Sequence, residues 1–229
     1  MKKITDRKSK LIYSIFSWLN STIVRRQFPK LDVLGTDNIP AGPCLFVCNH
    51  TKRWDGLLIY HLLGRPSNFL VSPNELKGLQ GAILKSMGAF PASTSFDLQT
   101  HVRQQLAKGE PVVIFPEGDI YRDGKTHTFK SGAARMALAC AKAGIVVPIV
   151  PAAVHYDEGL RSVKVVIGAP VDPAPYVIEA DSIAGQVKSL TERLFREVCH
   201  LRYQLGSRAD QLELFSGKPS RSWVHPTPA

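Results

Sequence analysis

Residues 44–63 read CLFVCNHTKRWDGLLIYHLL, and the fold turns on how this stretch is read. Five apolar residues, Cys44–Cys48, follow the turn-forming Pro40, Gly42 and Pro43 and then stop abruptly at Asn49 and His50. An apolar run this short, bounded by turn residues, reads as a strand buried on both faces. After a polar break the chain turns apolar again, and helical material is expected to about Leu63. A buried strand that breaks into a helix is the repeating unit of a largely parallel sheet.

The same unit recurs at 111–138, PVVIFPEGDIYRDGKTHTFKSGAARMAL, where the strand 111–115 leads through a loop to an alanine-rich helix. That helix is expected from about Ser131 to a stop at Gly144. Working outward, a first strand begins near residue 31. Short strands are expected at 68–72 and 89–92, at 146–150 with 152–155, and at 163–167. Helices are expected near 75–87, 97–108 and 181–205. The last carries Ile183, Val187, Leu190, Leu194, Val198 and Leu201 at spacings of three and four, which suits a helix capping the core. The expected fold class is α/β: a mixed, largely parallel sheet covered by helices on both faces, with an N-terminal amphipathic helix.

That helix is read from Leu11, Ile12, Ile15, Phe16, Trp18, Leu19 and Ile23, which share one arc at 100° per residue. Ser14, Ser17, Asn20 and Ser21 occupy the other side. The stripe either packs on the protein's own core or lies in a membrane interface, with Trp18 at headgroup level. Charge favours the second reading. The net charge is +10, and residues 1–30 hold eight Lys/Arg against one acid, so the basic excess is concentrated at one end. Such a distribution suits an anionic membrane surface better than a groove along nucleic acid, for which no recognition motif is present. Leu11–Leu19 is too short to span a bilayer and carries no signal-cleavage pattern. The expected organisation is a basic, membrane-associating segment at 1–30, one catalytic domain at 31–205, and a polar, loosely ordered tail at 206–229. Cys44, Cys48, Cys140 and Cys199 form no Cys-x-x-Cys pair and read as reduced, buried thiols, so neither a metal site nor a disulfide is expected.

Chemistry concentrates where the two buried strands end. His50 can take a proton from an attacking hydroxyl, and Asp55 can orient its ring. Five residues apart on one helix they would diverge, so His50 must precede the helix. Taken alone, the pair reads better as a cap, a turn or a surface ion pair. Glu117 can accept hydrogen bonds from an acceptor hydroxyl or from nearby backbone, and Gly118 lets a ligand approach the main chain. Arg122, Lys125 and Lys130 offer donors to phosphate; the alternative is a loop of solvated charges.

The combination resembles the glycerolipid acyltransferase family typified by 1-acylglycerol-3-phosphate acyltransferases. Asn-His-x4-Asp matches at Asn49, His50 and Asp55. Phe-Pro-Glu-Gly matches at Phe115, Pro116, Glu117 and Gly118, followed by Phe129, Lys130 and Gly132. Val-Pro-x-x-Pro matches at Val147, Pro148 and Pro151. The family's second block departs. Gly88, Ala89 and Phe90 are followed by Pro91, Ala92, Ser93 and Thr94, without the expected Arg. The Thr-Arg-Ser after Phe-Pro-Glu-Gly is replaced by Asp119, Ile120 and Tyr121, with Arg122 next.

The resemblance, over roughly residues 31–170, implies fatty acyl transfer to the free hydroxyl of a lysophospholipid, most simply 1-acylglycerol 3-phosphate. His50 is then the base, Asp55 its partner, and Glu117, Gly118, Arg122 and Lys130 the substrate-binding residues. It further implies acyl-CoA or acyl carrier protein as co-substrate, no resident cofactor, and a cytoplasmic, membrane-peripheral location. Two alternatives use the same fold: a thioesterase or lysophospholipid hydrolase, and a non-catalytic lipid-binding protein. Acyl-chain length and oligomeric state stay open.

Overall fold

A computed structural model describes residues 1–157, 161–178 and 181–206. The sheet has seven strands: β1 (Lys30–Leu34), β2 (Leu45–Cys48), β3 (Asn68–Val71), β4 (Ala89–Pro91), β5 (Val112–Ile114), β6 (Ile149–Asp157) and β7 (Ser162–Ile167). Their spatial order is β1-β7-β6-β2-β5-β3-β4, and every neighbouring pair is parallel except β6 and β7. The helices are α1 (Lys10–Gln27), α2 (Trp54–Leu63), α3 (Gly78–Ser86), α4 (Leu98–Ala107), α5 (Gly132–Lys142) and α6 (Ile183–Gln204). The tail expected at 206–229 lies, from residue 207 on, outside the described residues.

Helices cover both faces, as the continuous apolar strands require. Along β2, Leu45 and Val47 enter a core shared with α4, α5 and α6, while Phe46 and Cys48 enter one shared with α1 and α2. In α6 the expected stripe is buried from Val187 to Leu201, whereas Ile183 is exposed at the helix's first residue. The helix expected over 75–87 is split. Pro73 opens a 3-10 turn that ends at Leu76, Ser72 caps that turn by accepting from the Asn74 N–H, and α3 starts only at Gly78.

The break expected between 150 and 152 is absent, because β6 runs straight through Pro151 in the middle of the sheet. A residue in an extended strand points its N–H and C=O to the same side. The Pro151 carbonyl accepts from the Gly168 N–H, which places its imino nitrogen on the β7 side. There the register puts Pro151 opposite Gly168, so the missing N–H costs one bond, at the very end of the antiparallel ladder that starts at Ala152.

α1 seats on α2 by its polar side. Asn20 donates to the Leu57 carbonyl at 2.9 Å, Ser17 to the Tyr60 hydroxyl at 3.3 Å, and Ser21 bonds the His61 ring at 3.0 Å. Tyr13, Phe16 and Val24 pack inward beside them. The apolar stripe therefore faces out, with Leu11 70%, Ile15 60% and Trp18 73% exposed; of the expected arc, Phe16 packs on the core. Not every basic residue of this segment is on that surface. Lys8 turns inward, where its ammonium meets Asn68, Gln105 and the Glu110 carboxylate. Lys2 pairs with Phe96, which straps the N-terminus along the loop after β4. Among the described residues no helix is long and apolar enough to cross a membrane.

Candidate active site

β2 and β5 are adjacent and parallel, with Val47 opposite Ile114, so the segments after them emerge side by side at the carboxyl edge of the sheet. Asn49 is fully buried at the end of β2. Its side chain both accepts from the Val154 N–H (2.8 Å) and donates to the Val154 carbonyl (3.1 Å), locking the strand end against β6. His50 follows, ahead of the first turn of α2, as the pairing geometry demands.

The His50 Nδ1 lies 2.9 Å from Asp55 Oδ2. A buried carboxylate only accepts, so Nδ1 carries the proton and Nε2 presents its lone pair. The ring is held flat against Phe115, with centroids 4.4 Å apart. Asp55 itself is wholly buried and caged by donors. The same Oδ2 accepts from the backbone N–H groups of Thr51 (2.7 Å) and Lys52 (2.8 Å), and Oδ1 accepts from the Tyr156 hydroxyl at 2.6 Å. Burial, and after it the Asp55 charge, push the Tyr156 phenol far above its ordinary value, so it remains a donor.

Glu117 does not face the groove. It is 2% exposed and lines neither cavity at the site. Its Oε1 accepts from the His50 N–H at 2.7 Å and its Oε2 from the His127 N–H at 2.9 Å. Burial raises its carboxyl above the usual range, opposed by those two backbone bonds. Of its two expected partners, acceptor hydroxyl or backbone, the structure gives it backbone: Glu117 ties the loop after β5 to the His50 turn. The Tyr121 N–H, donating to the His50 carbonyl at 3.3 Å, adds a second tie.

Beside His50 runs a groove of about 850 Å³ whose lining includes Leu57, Tyr60, Phe69, Leu84, Met87 and Met136. Its apolar walls suit an acyl chain. Gly118 forms part of the wall with φ of 72°, and Lys130 lies against it, its Nζ 3.4 Å from the Gly118 carbonyl. Arg122 is placed elsewhere, on a second cavity beside β6, and Lys125 borders neither. The structure thus unites His50, Asp55, Glu117, Gly118 and Lys130, and separates Arg122 from them. Tyr156 went unnoticed in the sequence because 101 residues separate it from Asp55. Asn49 was visible as a motif letter, without its role. Burial raises the Cys44 thiol to about 11 and Cys48 well above its ordinary value, so neither is a nucleophile beside the site.

Comparison with known proteins bears on the family and the fold. The chain is 30% identical over 156 residues to the chloroplastic 1-acyl-sn-glycerol-3-phosphate acyltransferase BAT2 of Brassica napus, covering 64% of this chain and 43% of that protein. It is 32% identical over 133 residues to the chloroplastic 1-acyl-sn-glycerol-3-phosphate acyltransferase LPAT1 of Arabidopsis thaliana, covering 53% and 36%. The matches thus span less than half the length of these relatives. The fold is similar to that of the 1-acyl-sn-glycerophosphate acyltransferase PlsC of Thermotoga maritima. The TM-score is 0.61 over 86% of this chain and 82% of that one, at 22% identity. The family model described as acyltransferase matches residues 30–155, more than half of the sequence and the part that holds both strand ends, and the chain belongs to the acyltransferase family.

Proposed function

We propose that this protein transfers a fatty acyl group from acyl-CoA or acyl carrier protein to the free hydroxyl of a lysophospholipid, with 1-acylglycerol 3-phosphate as the first candidate. One observation carries the reading: the His50 imidazole, oriented by a fully buried Asp55 at 2.9 Å, stands on the wall of an apolar groove. His50 Nε2 takes the proton of the acceptor hydroxyl as that oxygen attacks the thioester carbonyl. The carbon–sulfur bond then breaks, and the proton passes from His50 to the departing thiolate. Asp55 holds the tautomer and stabilises the imidazolium that forms in between. No acyl-enzyme is needed.

The outward stripe of α1 supports a peripheral position on a membrane, where a lysolipid acceptor would be met. α1 also packs on the wall of the groove. Tyr60 lines it, and its ring lies 5.5 Å from that of Tyr13 and 5.9 Å from that of Phe16.

The test is an acceptor screen with the purified protein, labelled acyl-CoA or acyl carrier protein, and a panel of lysolipids. Diacylated product is expected with wild type and none with His50→Ala, whose melting temperature should match wild type. Turnover retained by His50→Ala, or free fatty acid released at the same rate without acceptor, would remove this reading.

A further inference from the structure

A second exposed apolar face lies on α3. Leu79, Ala82 and Ile83 recur at spacings of three and four, which puts them on one side of the helix. That side points to solvent, with Leu79 80% and Ile83 41% exposed. The other side is taken up by Gly81, where a Cβ would collide with the Leu76 backbone, and by Leu84 on the wall of the apolar groove.

Topology sets this face beside α1. β2, β5, β3 and β4 are consecutive in the sheet, so the crossovers β2-α2-β3 and β3-α3-β4 step the same way, and right-handed connections place α2 and α3 on one face. The steps from β4 to β5 and from β5 to β6 run back, which puts α4 and α5 on the other. Contacts agree. Met87, next after α3, packs into the core shared with α1 and α2. The N–H of Ser9, the N-cap of α1, donates to the carbonyl of Ser86, the last residue of α3, at 3.1 Å. The outward sides of α1 and α3 therefore flank one groove, whose walls include Leu57 and Tyr60 of α2 and Gln80 and Leu84 of α3.

Charge names the partner. α1 and α3 contain no Asp or Glu; Arg25 and Arg26 close the first, Lys77 precedes the second and Lys85 lies in its last turn. Glu75, just ahead of α3, is met by Arg53 at 3.7 Å and by the Gln80 amide at 3.0 Å. Apolar side chains flanked by cations suit the headgroup and upper acyl layer of an anionic bilayer, whereas a second copy of this chain would set like charges against each other.

We infer that the Leu79, Ala82 and Ile83 face of α3 is a second contact with an anionic lipid surface, so that α1 and α3 together hold the groove against the bilayer. The inference rests on the membrane-peripheral reading and adds to it a contact that α1 does not supply.

The full chain is sedimented with phosphatidylcholine vesicles, with and without phosphatidylglycerol. Leu79→Gln with Ile83→Gln should weaken binding to the anionic vesicles tenfold or more. Lys77→Gln with Lys85→Gln should weaken it by about fivefold or more and leave binding to uncharged vesicles within twofold. The four native thiols are buried, so a polarity-sensitive dye can be placed on Leu79→Cys; its emission should shift to the blue with anionic vesicles. The same dye on Lys188→Cys, exposed on α6 across the sheet, should not shift. Suppose wild type binds and Ile15→Lys with Trp18→Lys releases it, while the α3 variants bind within twofold of wild type and the Leu79 dye is silent. Then α1 keeps its membrane role and this inference falls. Wild type that ignores both kinds of vesicle sinks the peripheral reading itself, and this contact with it. A melting temperature lowered by several degrees in Leu79→Gln with Ile83→Gln, or a wild-type dimer that these changes dissolve, also overturns the inference, because protein would then cover the face. None of these readouts uses turnover, so acyl transfer stands or falls separately.

Discussion

The Tyr156 hydroxyl donates at 2.6 Å to Oδ1 of Asp55, the oxygen that His50 leaves unused. With the amides of Thr51 and Lys52 on Oδ2, it completes a set of donors that fixes the carboxylate plane and hence the direction of the imidazole. On the proposed mechanism Tyr156 acts through Asp55, as a positioning residue. Tyr156→Phe removes one oxygen and keeps the ring that packs 5.4 Å from Phe28. A hydrogen bond to a charged group contributes ~1.5–3 kcal/mol, so kcat should fall by roughly tenfold or more. KM should hardly move. Wild-type kcat in Tyr156→Phe would show the bond to be incidental.

Asp55→Asn is expected to be worse on both counts. Its amide nitrogen cannot accept, so whichever way it turns it faces a donor: Tyr156 on one side, or two amides and His50 on the other. One buried donor left unsatisfied costs ~1–3 kcal/mol. Thermal melts should show that loss, and activity should drop by more than in Tyr156→Phe. Equal stability of Asp55→Asn and wild type would contradict the cage.

Glu117→Gln separates positioning from substrate contact. The glutamine oxygen can serve the amide of His50 or that of His127, but its NH2 repels the other. Stability should fall by ~1–3 kcal/mol, measured by denaturant unfolding. kcat should fall with it while the KM values for donor and acceptor stay close to wild type, since Glu117 borders neither cavity. A large rise in acceptor KM with unchanged stability would return Glu117 to direct substrate binding.

At Gly118 the backbone is left-handed, and an added Cβ would sit 2.3 Å from Lys130 Nζ. Gly118→Ala should cost ~1–2 kcal/mol for that conformation and push Lys130 off the wall of the groove. Both a lower melting temperature and a lower kcat/KM are expected. Unchanged kinetics in Gly118→Ala would show that Lys130 makes no contribution there.

The outward stripe of α1 can be tested apart from catalysis. Ile15→Lys with Trp18→Lys replaces two exposed apolar side chains and disturbs none of the bonds from Ser17, Asn20 and Ser21 to α2. Burying each such side chain stabilises by ~1.5–3 kcal/mol, so binding to anionic vesicles should fall at least tenfold in a sedimentation assay. The melting temperature in solution should stay put. Undiminished vesicle binding would mean that another surface meets the lipid.

Much of this architecture was written locally in the chain. The runs around β2 and β5, the stop at Gly144 and the three-four spacing of α6 are short-range signals, because burial on one or both faces imposes its period on consecutive residues. The order His50, Asp55, then Glu117 was legible too, since a strand that ends in polar residues shows in composition. Pro151 reads as a break because only the register of β7 reveals that its missing N–H falls at the end of the antiparallel ladder, where it costs a single bond. In α1 the amphipathic pattern was plain, but whether Ser17, Asn20 and Ser21 or Leu11 and Ile15 face α2 depends on what α2 offers them.

From the amino acids alone come the strands, the helices, the α/β class and the candidate pair His50 and Asp55, each encoded within a window of about twenty residues. Tertiary structure decided the rest: that Glu117 turns inward to two backbone amides, that Tyr156 reaches Asp55 across 101 positions, and that Arg122 joins Lys52 and Arg202 around a separate cavity. Those relations depend on which strands lie side by side and in what register, and parallel pairing between distant segments leaves no mark in any single stretch of chain.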